Sequence, residues 1–222
     1  MTISNDARAR VKGFFEPIAL AMGRAGLTPD ALTLIGFAIT VVGAAVVAAQ
    51  HWSIGGLIVL AGGAFDMFDG TLARATGKTS RLGAFLDSVF DRWGEAIVYL
   101  GIIVGGVLAG HQRVPILAGA AMGSAFMVSY VRAKSEGLGF TTGTGMAAVG
   151  LMPREVRLVI LSLGLILTNA PNIKALEFTL VIIAVGSTIT TIQRIVHVRD
   201  QAKRHSTTPQ AGVPATNGET NT

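Results

Sequence analysis

From residue 28 onward, long apolar runs alternate with short charged or glycine-bearing connections. Six of these runs approach the ~20 residues that a helix needs to cross a bilayer. They extend roughly from Ala31 to Ala49, Ile54 to Leu72, Gly83 to Leu108, Val114 to Arg132, Arg154 to Thr168 and Ala175 to Gln193. The pattern predicts an all-α integral membrane protein with six transmembrane helices. Residues 1–27 differ: Arg8, Arg10, Lys12 and Arg24 alternate at helical periodicity with Ile3, Val11, Phe14, Phe15, Ile18, Leu20 and Met22. This predicts an amphipathic juxtamembrane helix lying in the interface, because the continuous apolar core of ~7 to 15 residues that a signal peptide requires is missing. Thr28 is placed to cap the first span, with Pro29 at the first helical position and Asp30 complementing the helix dipole. Residues 205–222 are rich in Ser, Thr, Pro, Asn and Gly without periodicity and read as a disordered polar tail. The chain therefore divides into an interfacial helix (1–27), a six-helix domain (28–204) and the tail.

Glycine adds two expectations. Gly101 with Gly105, and Gly119 with Gly123, form small-xxx-small pairs that let helices approach closely, within the chain or between copies. The stretch 137–150, GLGFTTGTGMAAVG, matches no phosphate-loop spacing and reads as a hinge between spans.

Composition agrees with a membrane protein: half of the 222 residues are apolar and 14% are charged, and mean hydropathy is +0.57. The absence of cysteine excludes disulfides and thiolate metal sites, leaving oxygen or histidine ligands. A pI of about 10.1 raises nucleic acid as a partner. The basic residues flank apolar runs, however, and aromatics are few, so anionic headgroups and phosphate substrates explain the charge better and no nucleic-acid partner is expected. Placing both termini in the cytoplasm puts 16 of the 18 Lys and Arg residues on that side, leaving only Arg113 and Lys174 outside. By the positive-inside rule this predicts a multi-pass protein of the cell membrane, with the ends of spans two and three that carry acidic residues facing the cytoplasm.

Those ends hold the densest chemistry in the chain, the stretch 66–91, DMFDGTLARATGKTSRLGAFLDSVFD. Asp66 and Asp69 lie three apart and Asp87 and Asp91 four apart, so each pair shares a helix face. Four carboxylates gathered in a low-dielectric setting repel one another unless they take up protons or bind cations, and hard oxygen donors suit Mg²⁺ or Mn²⁺. None of the histidines (51, 111, 197 and 205) is near them in sequence. Gly70 and Ala73 keep one helix surface small enough for a nucleotide to lie against it, or for another helix to pack. Arg74 suits a bidentate phosphate contact or a topology anchor. Ser80 offers a loop hydroxyl.

Written as DxxDGxxARx8GxxxDxxxD, the stretch fills every fixed position with Asp66, Asp69, Gly70, Ala73, Arg74, Gly83, Asp87 and Asp91, and it resembles the signature of the CDP-alcohol phosphotransferase family. The resemblance implies a six-helix membrane enzyme that moves a substituted phosphate from a CDP-linked lipid to an alcohol and releases CMP, with two divalent ions in the site. It further implies that Asp66 and Asp87 bridge the ions, that Asp69 completes the first and Asp91 the second, and that Asp91 is the base toward the alcohol. Arg74 is then expected at the pyrophosphate and Ser80 at the cytidine or its ribose. Pro29, Asp30, Ala31 and Leu32 resemble the family's TPxxLT opening of the first span, which borders the nucleotide pocket.

Tyr130, Arg132, Lys134, Arg154 and Arg194 all fall at predicted cytoplasmic ends of spans. Singly they read as anchors; together they favour a phosphorylated acceptor, since an anion wants several cations. With YVRAKSEG, MPRE and TTIQR, nearly the whole chain looks like the actinobacterial phosphatidylinositol phosphate synthases of that family. That implies CDP-diacylglycerol and inositol phosphate as substrates and a homodimer in the membrane. A phosphatidylglycerophosphate synthase, using glycerol 3-phosphate, shares the signature. A cation transporter is a more remote reading, because the outer halves of the spans offer too few polar stepping stones in Thr33, Thr40 and Ser124. A structural or lipid-sensing protein has no need of both carboxylate pairs beside Gly70 and Arg74.

Overall fold

The computed structural model describes residues 16–140, 149–168 and 172–207, and among these it is all helical, without strands. After a helical stretch over 16–24 (α1) come α2 (Pro29–Ala48), α3 (Trp52–Thr76), α4 (Arg81–Leu108), α5 (Arg113–Gly137), α6 (Arg154–Ile166) and α7 (Lys174–Thr207). Local chemistry sets the boundaries. Thr28 Oγ1 accepts from Ala31 N at 3.2 Å with Pro29 at the first helical position. Ser80 Oγ accepts from Gly83 N at 2.8 Å at the start of α4. At the end of α3 the chain turns on Gly77, whose φ of +66° suits a residue without a side chain.

The central packing unit is the hairpin of α2 and α3, with α4 also against α2. Its contact is made of bare backbone in two places. A Cβ on Gly43 would stand 2.9 Å from Val59 N and one on Gly62 would stand 3.1 Å from Thr40 N, while Gly36 and Gly55 face the same seam from the opposite partners. α6 packs on α3 and α7, and α5 packs on α4 and α7. The interior holds Val47, Trp52, Val59, Tyr99, Ile102, Leu165, Leu176 and Leu180. Large apolar side chains such as Val42, Leu57, Val107, Ile116 and Phe178 point outward, as lipid contact requires.

Among the described residues, four helices, α2, α3, α5 and α7, are long and apolar enough to cross a membrane, which makes the chain a multi-pass membrane protein. The other two of the six expected spans differ for identifiable reasons. α4 has the length, but Arg81, Asp87, Asp91, Arg92 and Glu95 are all charged and lie between its first residue and its middle turn. α6 has 13 residues, a rise of about 20 Å against a hydrocarbon core of about 30 Å. α7 runs to Thr207, so the expected tail boundary at 205 falls inside a helix. Residues 208–222 lie outside the described residues, as do 1–15 of the expected interfacial helix and 141–148 of the expected hinge. The described part of α1 buries Ala19 against Leu32 and Leu72. Of the two small-residue pairs, only Gly101 and Gly105 meet a neighbour: side chains there would strike the carbonyls of Ala44 and Val47, whereas Gly119 and Gly123 face open space.

Candidate active site

α2 is the element around which the aspartates gather, since both α3 and α4 pack on it. Thr33 Oγ1 donates to Asp69 Oδ2 at 2.6 Å, and the other oxygen of Asp69 accepts from Gly70 N. Asp69 is consequently only 6% exposed. One turn along α2, Gly36 supplies the space in which Asp66 Oδ1 lies, so that a Cβ there would collide with the carboxylate. The Phe37 and Phe90 rings, 5.0 Å apart, tie α2 to α4 one residue before Asp91. Asp87 completes the set, close enough for its charge to act on Asp66, Asp69 and Asp91.

Arg154, at the first position of α6, enters this group from the side. Its Nη2 lies 2.9 Å from Asp66 Oδ2 and 2.8 Å from Asp91 Oδ1, so one guanidinium nitrogen bridges carboxylates of α3 and α4. One turn further on, Arg157 meets Glu95 through Nε at 2.7 Å and Nη2 at 2.8 Å, while its Nη1 donates to the Met152 carbonyl at 2.9 Å. Arg92 Nη1 approaches Glu95 Oε2 at 3.7 Å. A narrow cavity of about 20 Å³ runs beneath these charges, with Thr33, Asp66, Asp91, Glu95, Arg154 and Arg157 along its polar wall and Val59, Val98 and Leu161 along its apolar one.

The structure thus brings together the four aspartates and Arg154. Arg74 is exposed on the last turn of α3, its Nη2 3.5 Å from Thr71 Oγ1. Ala73 is half-buried on that turn. A Cβ on Gly70 would reach only the flexible head of Arg74, at 3.2 Å. Ser80 spends one lone pair on the α4 cap. Pro29 and Ala31 are half-buried, Asp30 is exposed with Oδ1 toward Gly83, and Leu32 is fully buried against Ala19 and Leu72. Tyr130, Arg132 and Lys134 stand exposed on the last turns of α5, with Arg132 held to Glu136 at 2.9 Å. Arg194 is buried and donates to the carbonyls of Val128 at 2.7 Å and Val149 at 2.9 Å.

Three residues of this constellation were not legible as site residues in the sequence: Thr33, Glu95 and Arg157. Thr33 is the last residue of the TPxxLT opening, where it reads as one more helical position of the first span. Glu95 and Arg157 follow Asp91 and Arg154 by four and three residues inside apolar stretches, and charges in such places pair with one another.

The donor set fits a hard divalent ion, being all carboxylate oxygen. The bridging guanidinium of Arg154 marks the position as one built for positive charge. As the side chains stand, no three of the described carboxylates or imidazoles converge as one ion's ligands.

The sequence profile of the CDP-alcohol phosphatidyltransferase family matches residues 26–192, and the chain belongs to that family. It is accordingly an enzyme, a transferase of phospholipid synthesis that uses a CDP-linked alcohol as donor. Two curated relatives are an archaetidylinositol phosphate synthase from Pyrococcus horikoshii and a phosphatidylinositol phosphate synthase from Streptomyces avermitilis. The first is 35% identical over 188 residues, 85% of this chain and 92% of the relative. The second is 36% identical over 204 residues, 88% of this chain and 82% of the relative. Among solved structures, the phosphatidylinositol phosphate synthase of Mycobacterium tuberculosis with CDP-DAG bound superposes with a TM-score of 0.73 at 30% identity, covering 83% of this chain and 92% of that one. The same enzyme has been solved in complex with manganese and citrate, with a TM-score of 0.73 at 31% identity, covering 83% and 88%. That complex supports divalent-metal use in this family.

Proposed function

We propose that this chain transfers the phosphatidyl group of CDP-diacylglycerol to inositol phosphate, forming phosphatidylinositol phosphate and CMP. The observation that carries the choice of acceptor is Arg154: a cation placed among the catalytic carboxylates suits an acceptor that brings its own phosphate, and relatives named for inositol phosphate chemistry align over most of the chain.

Asp66 and Asp87 would bridge two Mg²⁺ ions, or Mn²⁺ ions, with Asp69 completing the first and Asp91 the second. When bound, such ions neutralise the pyrophosphate and stabilise both the attacking and the leaving oxygens. The protein's own residues do the rest. Gly70 and Ala73 leave a flat surface for the cytidine, with Pro29, Asp30, Ala31 and Ser80 around it and Leu32 packed beneath that opening turn of α2. Arg74 holds the pyrophosphate. Asp91 takes the proton of the acceptor hydroxyl as its oxygen bonds to the β-phosphorus. The bond from that phosphorus to the bridging oxygen breaks, and CMP leaves with the electron pair. Arg154 faces the acceptor's phosphate, with Tyr130, Arg132, Lys134 and Arg194 at the same level of the fold.

The positive-inside bias supports a cell-membrane enzyme with its site and both termini in the cytoplasm. In the membrane α4 and α6 reach across in the company of their neighbours to make six spans in all, preceded by an interfacial N-terminal helix over 1–27, and the chain forms a homodimer. The test is CMP release by purified protein given Mg²⁺ and CDP-diacylglycerol, with inositol phosphate, inositol, glycerol 3-phosphate and serine in turn. Turnover with inositol phosphate alone is expected. Turnover with glycerol 3-phosphate alone would transfer the assignment to phosphatidylglycerophosphate synthesis, and with free inositol alone would remove the need for an acceptor phosphate.

A further inference from the structure

We infer that Glu95 and Arg157 are positioning residues for the acceptor: their ion pair sets where Arg154 stands over the carboxylates, and through it the affinity for the acceptor's phosphate. The inference rests on the role given to Arg154 above and assigns a function to two residues outside the family signature.

The geometry is that of a two-rung ladder between α4 and α6. Asp91 and Glu95 are successive turns of α4, Arg154 and Arg157 are successive turns of α6, and each rung is an ion pair. The upper rung is partly open, with side chains of Arg154 and Asp91 20% and 14% exposed, whereas Arg157 below it is 1% exposed. α6 packs its backbone chiefly on α3 and α7, so the side-chain rungs are the polar links that relate Arg154 to the helix carrying Asp91.

The lower rung also decides where α6 begins. Pro153 gives the helix no side-chain cap, and the first turn is held by other means. Arg157 Nη1 takes the Met152 carbonyl, and Thr190 Oγ1 on α7 accepts from Leu151 N at 3.1 Å and Met152 N at 3.0 Å. Gly150 makes this approach possible, since a side chain there would strike the Thr190 methyl and its φ of +117° is reserved for glycine. One planar guanidinium therefore fixes the lead-in segment, the first turn of α6 and the distance to α4 together. Arg is suited to this by its rigid fork of donors. Arg154 sits in the turn so fixed.

A purely structural pair predicts a different outcome. Replacing a buried ion pair by uncharged groups of similar volume is often neutral for stability, so Glu95→Gln/Arg157→Met removes both charges of the rung at once, leaves Arg92 the neighbouring charge of Asp91, and remains a folded test even where Glu95→Gln alone does not. In CMP-release assays on the full chain in nanodiscs, the double variant is expected to raise the acceptor KM about tenfold or more while the CDP-lipid KM stays within about twofold. In an Arg154→Ala background the same change is expected to add less than about twofold, because the residue through which it acts is gone. Arg157→Lys, which keeps the charge and loses the fork, should fall between. An acceptor KM unchanged in the double variant, or a penalty that multiplies fully with Arg154→Ala, overturns the inference. An unchanged acceptor KM in Arg154→Ala alone overturns the Arg154 reading itself, and the inference with it.

Discussion

Thr33 Oγ1 donates a 2.6 Å hydrogen bond to Asp69 Oδ2, joining the second turn of α2 to the most buried carboxylate of the site. A hydrogen bond to a charged group contributes about 1.5–3 kcal/mol, and a valine side chain has nearly the same shape. Thr33→Val is therefore expected to lower kcat/KM by about 10- to 100-fold and to raise the Mg²⁺ concentration needed for half-maximal activity. The metal titration separates this from unfolding, which would reduce the active fraction without moving the midpoint.

Gly36 makes a sharper demand. A methyl group there would occupy the place of Asp66 Oδ1 and press to 3.4 Å from the Gly62 carbonyl. Gly36→Ala should abolish activity by at least about 100-fold, although alanine favours the helix by about 1 kcal/mol. Thermal unfolding and CMP release, followed together, test this: wild-type turnover would show that Asp66 has another place to go.

Asp91 carries the proton-accepting role in the proposed reaction. Asp91→Asn keeps the volume and removes the basicity. CDP-lipid binding, measured by isothermal titration or by protection from thermal unfolding, is expected to persist while turnover falls by about 10² to 10⁴. Normal CMP release from this variant would transfer the base to another residue.

Arg194 was grouped with the acceptor cations from its place at a span end, yet its guanidinium is committed to the carbonyls of Val128 and Val149. Arg194→Ala removes the donor from the buried Val128 carbonyl, which costs about 1–3 kcal/mol, and from the half-buried Val149 carbonyl. A fall in melting temperature is expected with this variant, together with a weaker rise in acceptor KM than Arg154→Ala produces. A larger effect on acceptor KM than that of Arg154→Ala, without loss of stability, would make Arg194 the leading acceptor cation.

The contrast between these residues explains what the sequence could tell. The aspartate signature is legible because its spacing is a helix-face pattern, and the α2 start is legible because Thr28, Pro29 and Asp30 each act on their own turn. Leu32 fell inside a recognised motif, but its side chain is spent on packing, while its neighbour Thr33 reaches the site. Motif membership does not tell which of two adjacent buried residues reaches the carboxylates when both are compatible with a helix. Arg157 counts as one more basic residue at a span end until α6 is placed beside α4. α6 ends at Ile166, two residues before the expected end, because Leu167 continues the apolar pattern after the helix has closed. Long-range pairings of this kind depend on tertiary placement, which periodicity does not encode.

The glycine seam between α2 and α3 has a consequence for a protein surrounded by lipid. Backbone meeting backbone at two separated levels resists both rolling and sliding, so the hairpin behaves as a stiff plank. A thinner or thicker bilayer should tilt that plank as a unit, leaving the spacing between Thr33 and Asp69 unaltered. Catalytic geometry anchored in this way is expected to hold across membranes of different acyl length.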